Sequence, residues 1–136
     1  IDFSPVTIND LNACTLFLNN VTDAKIASVT NTSLNTNSSG IFINLVNDNV
    51  DIKGKFGDLE VLNFSPTFTA FNLNLDASSA ILNFKNIKDK LNFAATYLSE
   101  NPSSNKSKST TFHGMISAKT NRIIIEAKNS KLTVIK

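Results

Sequence analysis

The stretch Phe71-Asn72-Leu73-Asn74-Leu75-Asp76-Ala77-Ser78-Ser79-Ala80-Ile81-Leu82-Asn83-Phe84 decides the fold of this 136-residue chain. Phe71, Leu73 and Leu75 alternate with polar residues, and a second apolar run, Ile81 to Phe84, follows a corner of small residues. A period of two sends one set of side chains inward and the other toward water, which is the pattern of a half-buried strand. Two strands joined through Ala77-Ser78-Ser79-Ala80, without a hairpin dipeptide, predict a chain that bends and continues rather than doubling back.

Further from this stretch the same grammar recurs. Thr15-Leu16-Phe17-Leu18, Ile41-Phe42-Ile43-Asn44-Leu45, Arg122-Ile123-Ile124-Ile125 and Lys131-Leu132-Thr133-Val134-Ile135 read as strands rich in Ile, Val, Phe and Thr. Between them lie Asn19-Asn20, Asn35-Thr36-Asn37-Ser38-Ser39-Gly40 and Asn47-Asp48-Asn49. The chain has twenty Asn and four Gly. Asn tolerates left-handed backbone and bonds its own main chain, so it serves here as the turn residue. Lys85 to Leu98 fits either period, but Phe93, Thr96 and Tyr97 favour strand for its second half. Small-residue corners recur, centred on Cys14, Ser39, Gly57 and Ser79, with the first interval the widest. Repeats of roughly 20 residues predict stacked coils, a parallel β-helix (β-solenoid), with an antiparallel β-sandwich as the alternative. Phe56, Phe64, Phe68, Phe71, Phe84 and Phe93 are the expected interior bulk. Residues 1–136 form one domain, interrupted at 99–111 by a polar segment without a clear apolar pattern, expected to be a mobile surface loop.

Composition narrows the function classes. A lone Cys14 and a lone His113 exclude a disulfide framework and a structural zinc site. No apolar run reaches the roughly 18 residues of a membrane-spanning helix. The net charge of +2 divides unevenly: residues 1–84 carry three Lys against eight acids, and residues 85–136 carry ten Lys and Arg against three. Oppositely charged ends make head-to-tail self-association an expectation. Arg122 is the one Arg, which argues against nucleic-acid readout.

No catalytic constellation emerges. His113 reads as a loop-edge side chain and Cys14 as a small corner residue. The acid pairs Asp48 with Asp51 and Asp58 with Glu60 read as solvated faces; Asp58 and Glu60, two apart, share one side of a strand. Asn19, Asn44 and Asn83 are candidates for amide ladders between coils. The sequons at Asn20, Asn31, Asn37, Asn63 and Asn105 follow from composition. No catalytic, metal or cofactor residue is assigned, and the chain is expected not to be an enzyme.

Ile52-Lys53-Gly54-Lys55-Phe56-Gly57-Asp58-Leu59-Glu60-Val61 forms one repeating unit. The closing pattern is Phe71 to Ile81, then Phe112-His113-Gly114-Met115-Ile116, then Asn121 to Val134. Together they resemble a bacterial family of β-solenoid cell-envelope proteins, domains of unknown function that carry an adhesin label by fold analogy. The resemblance covers residues 45–136. Ser130 stands where that family has Gly, and Ser78-Ser79 where it has Gly-Asp. It implies a right-handed parallel solenoid, export to the periplasm or cell surface, and a noncatalytic structural or interaction role with a protein or glycan partner. A chain opening Ile1-Asp2-Phe3, without an initiator Met, is expected to be processed, its targeting segment removed. The alternatives are a carbohydrate-binding β-helix, which lacks a Trp or Tyr platform, and a lipid-binding β-groove of the envelope.

Overall fold

The computed structural model describes residues 4–87, 91–102, 108–116 and 122–135. It is a β-solenoid. The strands are β1 (Val6–Asn12), β2 (Thr15–Asn19), β3 (Ala24–Asn37), β4 (Gly40–Lys55), β5 (Asp58–Phe64), β6 (Ala70–Asp76), β7 (Ser79–Asn83), β8 (Leu91–Pro102), β9 (Lys108–Ile116), β10 (Arg122–Lys128) and β11 (Lys131–Ile135). β3 and β4 are long because each runs through a corner: the first half belongs to one wall of the solenoid and the second half to the other. The first wall stacks β1, the first halves of β3 and β4, β5, β7 and β11, all parallel. The second wall stacks β2, the second halves of β3 and β4, β6 and β10, also parallel.

The register measures the coil. Val6, Ala24, Ile41, Leu59 and Ala80 stand one above another, and the step from Leu59 to Ala80 is the longest of the four. Leu132 stacks next on Ala80, after a far longer interval. That last interval holds an excursion: β9 pairs antiparallel with β10, and β8 antiparallel with β9. The second wall therefore ends in two antiparallel strands, while the stack they extend is parallel throughout. Residues 99–102 and 108–111 are strand rather than the expected loop, paired Ser99 with Thr111 and Pro102 with Lys108. Residues 103–107 lie outside those described. The second half of the ambiguous segment is strand, as its aromatic content suggests. Its first half holds a single 3₁₀ turn, Lys85–Ile87.

Most corners turn through a left-handed residue, the one at residues 65–69 excepted. At the first corner these are Ala13 (φ 53°), Asn31 (φ 48°) and Asn49 (φ 34°). At the second they are Asn20, Ser38, Phe56, Ala77 and Asn129, with φ between 48° and 55°. The backbone N–H of each of the first four donates to a carbonyl of the next coil. Asn20 N–H reaches Asn37 O at 2.9 Å, Ser38 reaches Lys55 O at 2.9 Å, Phe56 reaches Asp76 O at 3.1 Å and Ala77 reaches Lys128 O at 3.0 Å. A corner thus repeats its geometry and passes its hydrogen bond up the stack, which leaves these four amides paired within the protein.

The residue after each left-handed position completes the corner. Ser39 Oγ accepts from Val21 N–H at 3.0 Å and donates to Asn37 O at 2.8 Å. Ser78 Oγ accepts from Gly57 N–H and donates to Asp76 O. Ser130 Oγ accepts from Ser78 N–H and donates to Lys128 O. A hydroxyl does this because it both donates and accepts. The series is Val21, Ser39, Gly57, Ser78, Ser130. This moves two of the expected corner positions: Ser78 rather than Ser79 turns the chain, and Cys14 belongs to the opposite corner, beside Thr32. The wide interval from Cys14 to Ser39 in the sequence reading combines two different corners. Gly57 is the member without a side chain, because a Cβ there would overlap the Ser39 carbonyl oxygen.

Inside, Ile26, Ile43, Val61 and Leu82 line the first wall and Leu34, Ile52, Leu73 and Ile125 the second, all in one cluster. Phe64 anchors a group of rings at the widest coil, edge-on to Phe71 at 5.0 Å and tilted against Phe84 at 4.9 Å and Phe68 at 5.6 Å. Phe68 comes from residues 65–69, an insertion that lengthens this coil relative to the earlier ones and fills it with an extra ring. The interior assignment fails for Phe56, which is 56% exposed. Its left-handed corner backbone directs the ring outward. The side chain of Phe93 lies outside those described.

Candidate binding face on the second wall

The outer face of the second wall is built from strand residues that point away from Leu18, Leu34, Ile52, Leu73 and Ile125. The register sets them in rows that run along the solenoid. One row is Thr15, Ser33, Asp51, Asn72 and Ile124; the next is Phe17, Asn35, Lys53, Asn74 and Glu126; the third is Asn19, Asn37, Lys55, Asp76 and Lys128. With neighbouring strands about 4.8 Å apart, five rungs span roughly 19 Å. Such a face presents side chains at a fixed repeat.

The second and third rows border an open groove of about 850 Å³. Phe17, 65% exposed, marks one end of it and Phe56 the corner side. Asn37 Nδ2 donates to Asn19 Oδ1 at 3.0 Å, so the two amides are fixed relative to each other. The ammonium of Lys55 lies 5.1 Å from the centroid of the Phe56 ring, within cation–π range. Lys53 and Lys55 make no ion pair among the described residues, where Lys25 with Asp23, at 3.7 Å, does. Gly54 interrupts the inward row between Thr36 and Leu75. A Cβ there would meet Leu75 Cδ2 at 3.1 Å and Thr36 Oγ1 at 3.3 Å.

Phe56 is the unusual member of this site. The equivalent position in other coils holds Asn20, Ser38, Ala77 or Asn129. A bulky side chain in the left-handed region is strained by about 1–2 kcal/mol. The outward ring has no place in the core, and its contact on this face is with the Lys55 ammonium. Comparison with protein-family models, with curated proteins and with solved structures found no match. The reading of this face therefore rests on its own chemistry.

The other residues singled out from sequence fall in structural places. Asp48 Oδ1 accepts from Thr69 N–H at 2.9 Å and from its hydroxyl at 2.6 Å, tying down the 65–69 insertion. Asp51 stands apart from it in the first outer row. Asp58 and Glu60 do share the solvated side of β5, with Leu59 and Val61 buried on the other. Asp58 accepts from the Ser79 hydroxyl, again a bond between coils. Cys14 Sγ lies 3.8 Å from Thr32 Oγ1, and Thr32 donates to Thr30 O at 2.8 Å. His113 sits within β9, opposite Ile124 of β10, rather than at a loop edge. Among the described residues no three His, Cys, Asp or Glu come together as metal ligands.

Of the expected ladder positions, Asn19 takes part in an amide pair. Asn44 contributes its backbone carbonyl to Asn63 Nδ2 at 3.2 Å, and Asn83 Oδ1 instead accepts from Lys85 N–H at 3.0 Å, a local turn. The second amide pair, Asn86 with Asn63 at 2.7 Å, escapes a sequence reading because Asn86 lies in the 3₁₀ turn rather than on a strand. Phe56 and Phe17 escape it as well. In a period-two pattern an outward Phe looks the same as an inward one until the corner phase is known.

Proposed function

We propose that this chain is a noncatalytic structural and interaction module whose second wall is its binding face, working at the cell envelope or cell surface. The observation that carries the binding role is the outer ladder of that wall, an exposed polar array with two exposed phenylalanine rings on a rigid stack. A coil whose corners are hydrogen-bonded to the next coil is a preorganised scaffold, so a partner meets side chains that lose little freedom on binding. The rows repeat along the axis, which suits an extended partner better than a compact one. The envelope location and the adhesin role rest on the resemblance of residues 45–136 to exported solenoids. No helix among the described residues is long and apolar enough to cross a membrane.

The test is co-sedimentation of the purified chain with isolated envelopes of the source cells at physiological salt. Wild-type protein is expected in the pellet, and the folded variants Phe17→Ala and Lys53→Glu in the supernatant. Wild-type protein that stays in the supernatant, or variants that pellet equally well, would contradict the reading.

A further inference from the structure

Resting on that reading, we propose that the groove between Phe17 and Phe56 binds an extended acidic glycan, a run of pyranose rings bearing carboxylates. Three features of the groove select this class together. The first is the pair of exposed rings, 65% and 56% accessible at Phe17 and Phe56. The C–H face of a pyranose is apolar while its rim is hydroxylated, so it stacks on an aromatic face and keeps its rim free for hydrogen bonds.

The second is the amide pair. The bond from Asn37 Nδ2 to Asn19 Oδ1 leaves Asn19 Nδ2 as a donor and Asn37 Oδ1 as an acceptor. Sugar hydroxyls donate and accept at once and can meet both. The third is charge. Lys53 and Lys55 have no carboxylate partner among the described residues, and the Lys55 ammonium is held against the Phe56 ring. The ammonium covers one face of the Phe56 ring, so a sugar would stack on the other face with its carboxylate reaching the ammonium around the ring edge, a charge-assisted contact that a neutral sugar cannot make. Rungs about 4.8 Å apart are close to the length of one sugar in an extended chain, so successive sugars meet successive rungs.

A nucleic-acid strand would also use stacking and positive charge. The groove suits it less well, because its cations are Lys, without the guanidinium forks that grip phosphate, and its paired amides match a hydroxylated rim.

The strain at Phe56 makes the test decisive. Phe56→Asn restores a residue suited to left-handed backbone, as at Asn20 and Asn129, while removing the stacking ring. The full chain is titrated calorimetrically with hexagalacturonate, with cellohexaose as the neutral comparator and oligothymidylate as the nucleic-acid comparator. Wild-type protein is expected to bind hexagalacturonate, with cellohexaose at least about tenfold weaker and oligothymidylate weaker still. Phe56→Asn is expected to lose at least about tenfold in affinity with no fall in melting temperature, and Lys55→Gln to lose affinity and part of its salt dependence. Absence of hexagalacturonate binding, equal binding of cellohexaose, tighter binding of oligothymidylate, or an unchanged affinity in Phe56→Asn would each overturn the proposal. Envelope binding that persists without hexagalacturonate binding would remove the glycan assignment and leave the interaction role standing.

Discussion

Phe56 and Gly57 are neighbours that the same corner treats in opposite ways. Phe56 holds a left-handed φ of 55° that suits Asn far better than Phe, and its ring is outside the core. Phe56→Asn is therefore expected to raise stability by about 1 kcal/mol in urea unfolding, since it relieves backbone strain without opening a cavity. A loss of stability would show that the ring has a structural role. Gly57 is not left-handed; it is small because the Ser39 carbonyl occupies the space a Cβ would need. Gly57→Ala is expected to destabilise by about 3 kcal/mol, the upper part of the overpacking range. Gly54→Ala, facing a movable Leu75 side chain at 3.1 Å, should cost clearly less. A comparable loss at both glycines would contradict the distinction between backbone and side-chain crowding.

At the scale of strands and corners, the serine series does what a Gly-rich solenoid does with bare backbone. Ser39 is 4% exposed, and its hydroxyl satisfies Val21 N–H. Ser39→Ala leaves that buried amide without its partner and is expected to cost about 2 kcal/mol, whereas Ser130→Ala, partly exposed at the last corner, should cost less because water replaces the hydroxyl. Equal losses would show that burial is not what gives the corner hydroxyl its value.

Strand identity is legible in the sequence, because apolar alternation along residues such as Phe71, Leu73 and Leu75 needs no knowledge of the fold. Corner phase is less legible. Val21 is neither small nor polar, so the first coil hides its corner, and the repeat reads instead through Cys14 on the opposite side. Ser78 and Ser79 are adjacent and chemically identical, so only the left-handed backbone at Ala77 separates their roles. The polar ends of β8 and β9 hide for a related reason: segments such as residues 99–102 carry no apolar signal to distinguish them from a loop.

Over the whole molecule, contacts run mainly between neighbouring coils, so stability should vary along the axis as in other linear repeats. β3 and β4 have paired strands on both sides, whereas β1, β2, β8 and β11 are paired on one side among the described residues. Hydrogen exchange is expected to show the slowest amides in β3 and β4 and the fastest in those four strands. Uniform protection would contradict a coil-by-coil stack. The phenylalanine cluster ties the widest coil to its neighbour, since Phe64 touches Phe84 across the rung. Phe64→Ala should cost about 3–5 kcal/mol in the same urea unfolding measurement, the usual range for a fully buried aromatic ring.

The proposed role makes the outer face of the second wall the surface that meets the partner. Amide and side-chain shift mapping by NMR, during titration of the labelled chain with hexagalacturonate, addresses it most directly. The expected result is a continuous set of perturbed residues on that face, including Phe17, Asn37, Lys55 and Phe56, with the opposite outer row of Lys25, Phe42, Glu60 and Ile81 unmoved. Perturbations centred on that opposite row would contradict the second wall as the binding face, and no perturbation at all would remove the glycan assignment.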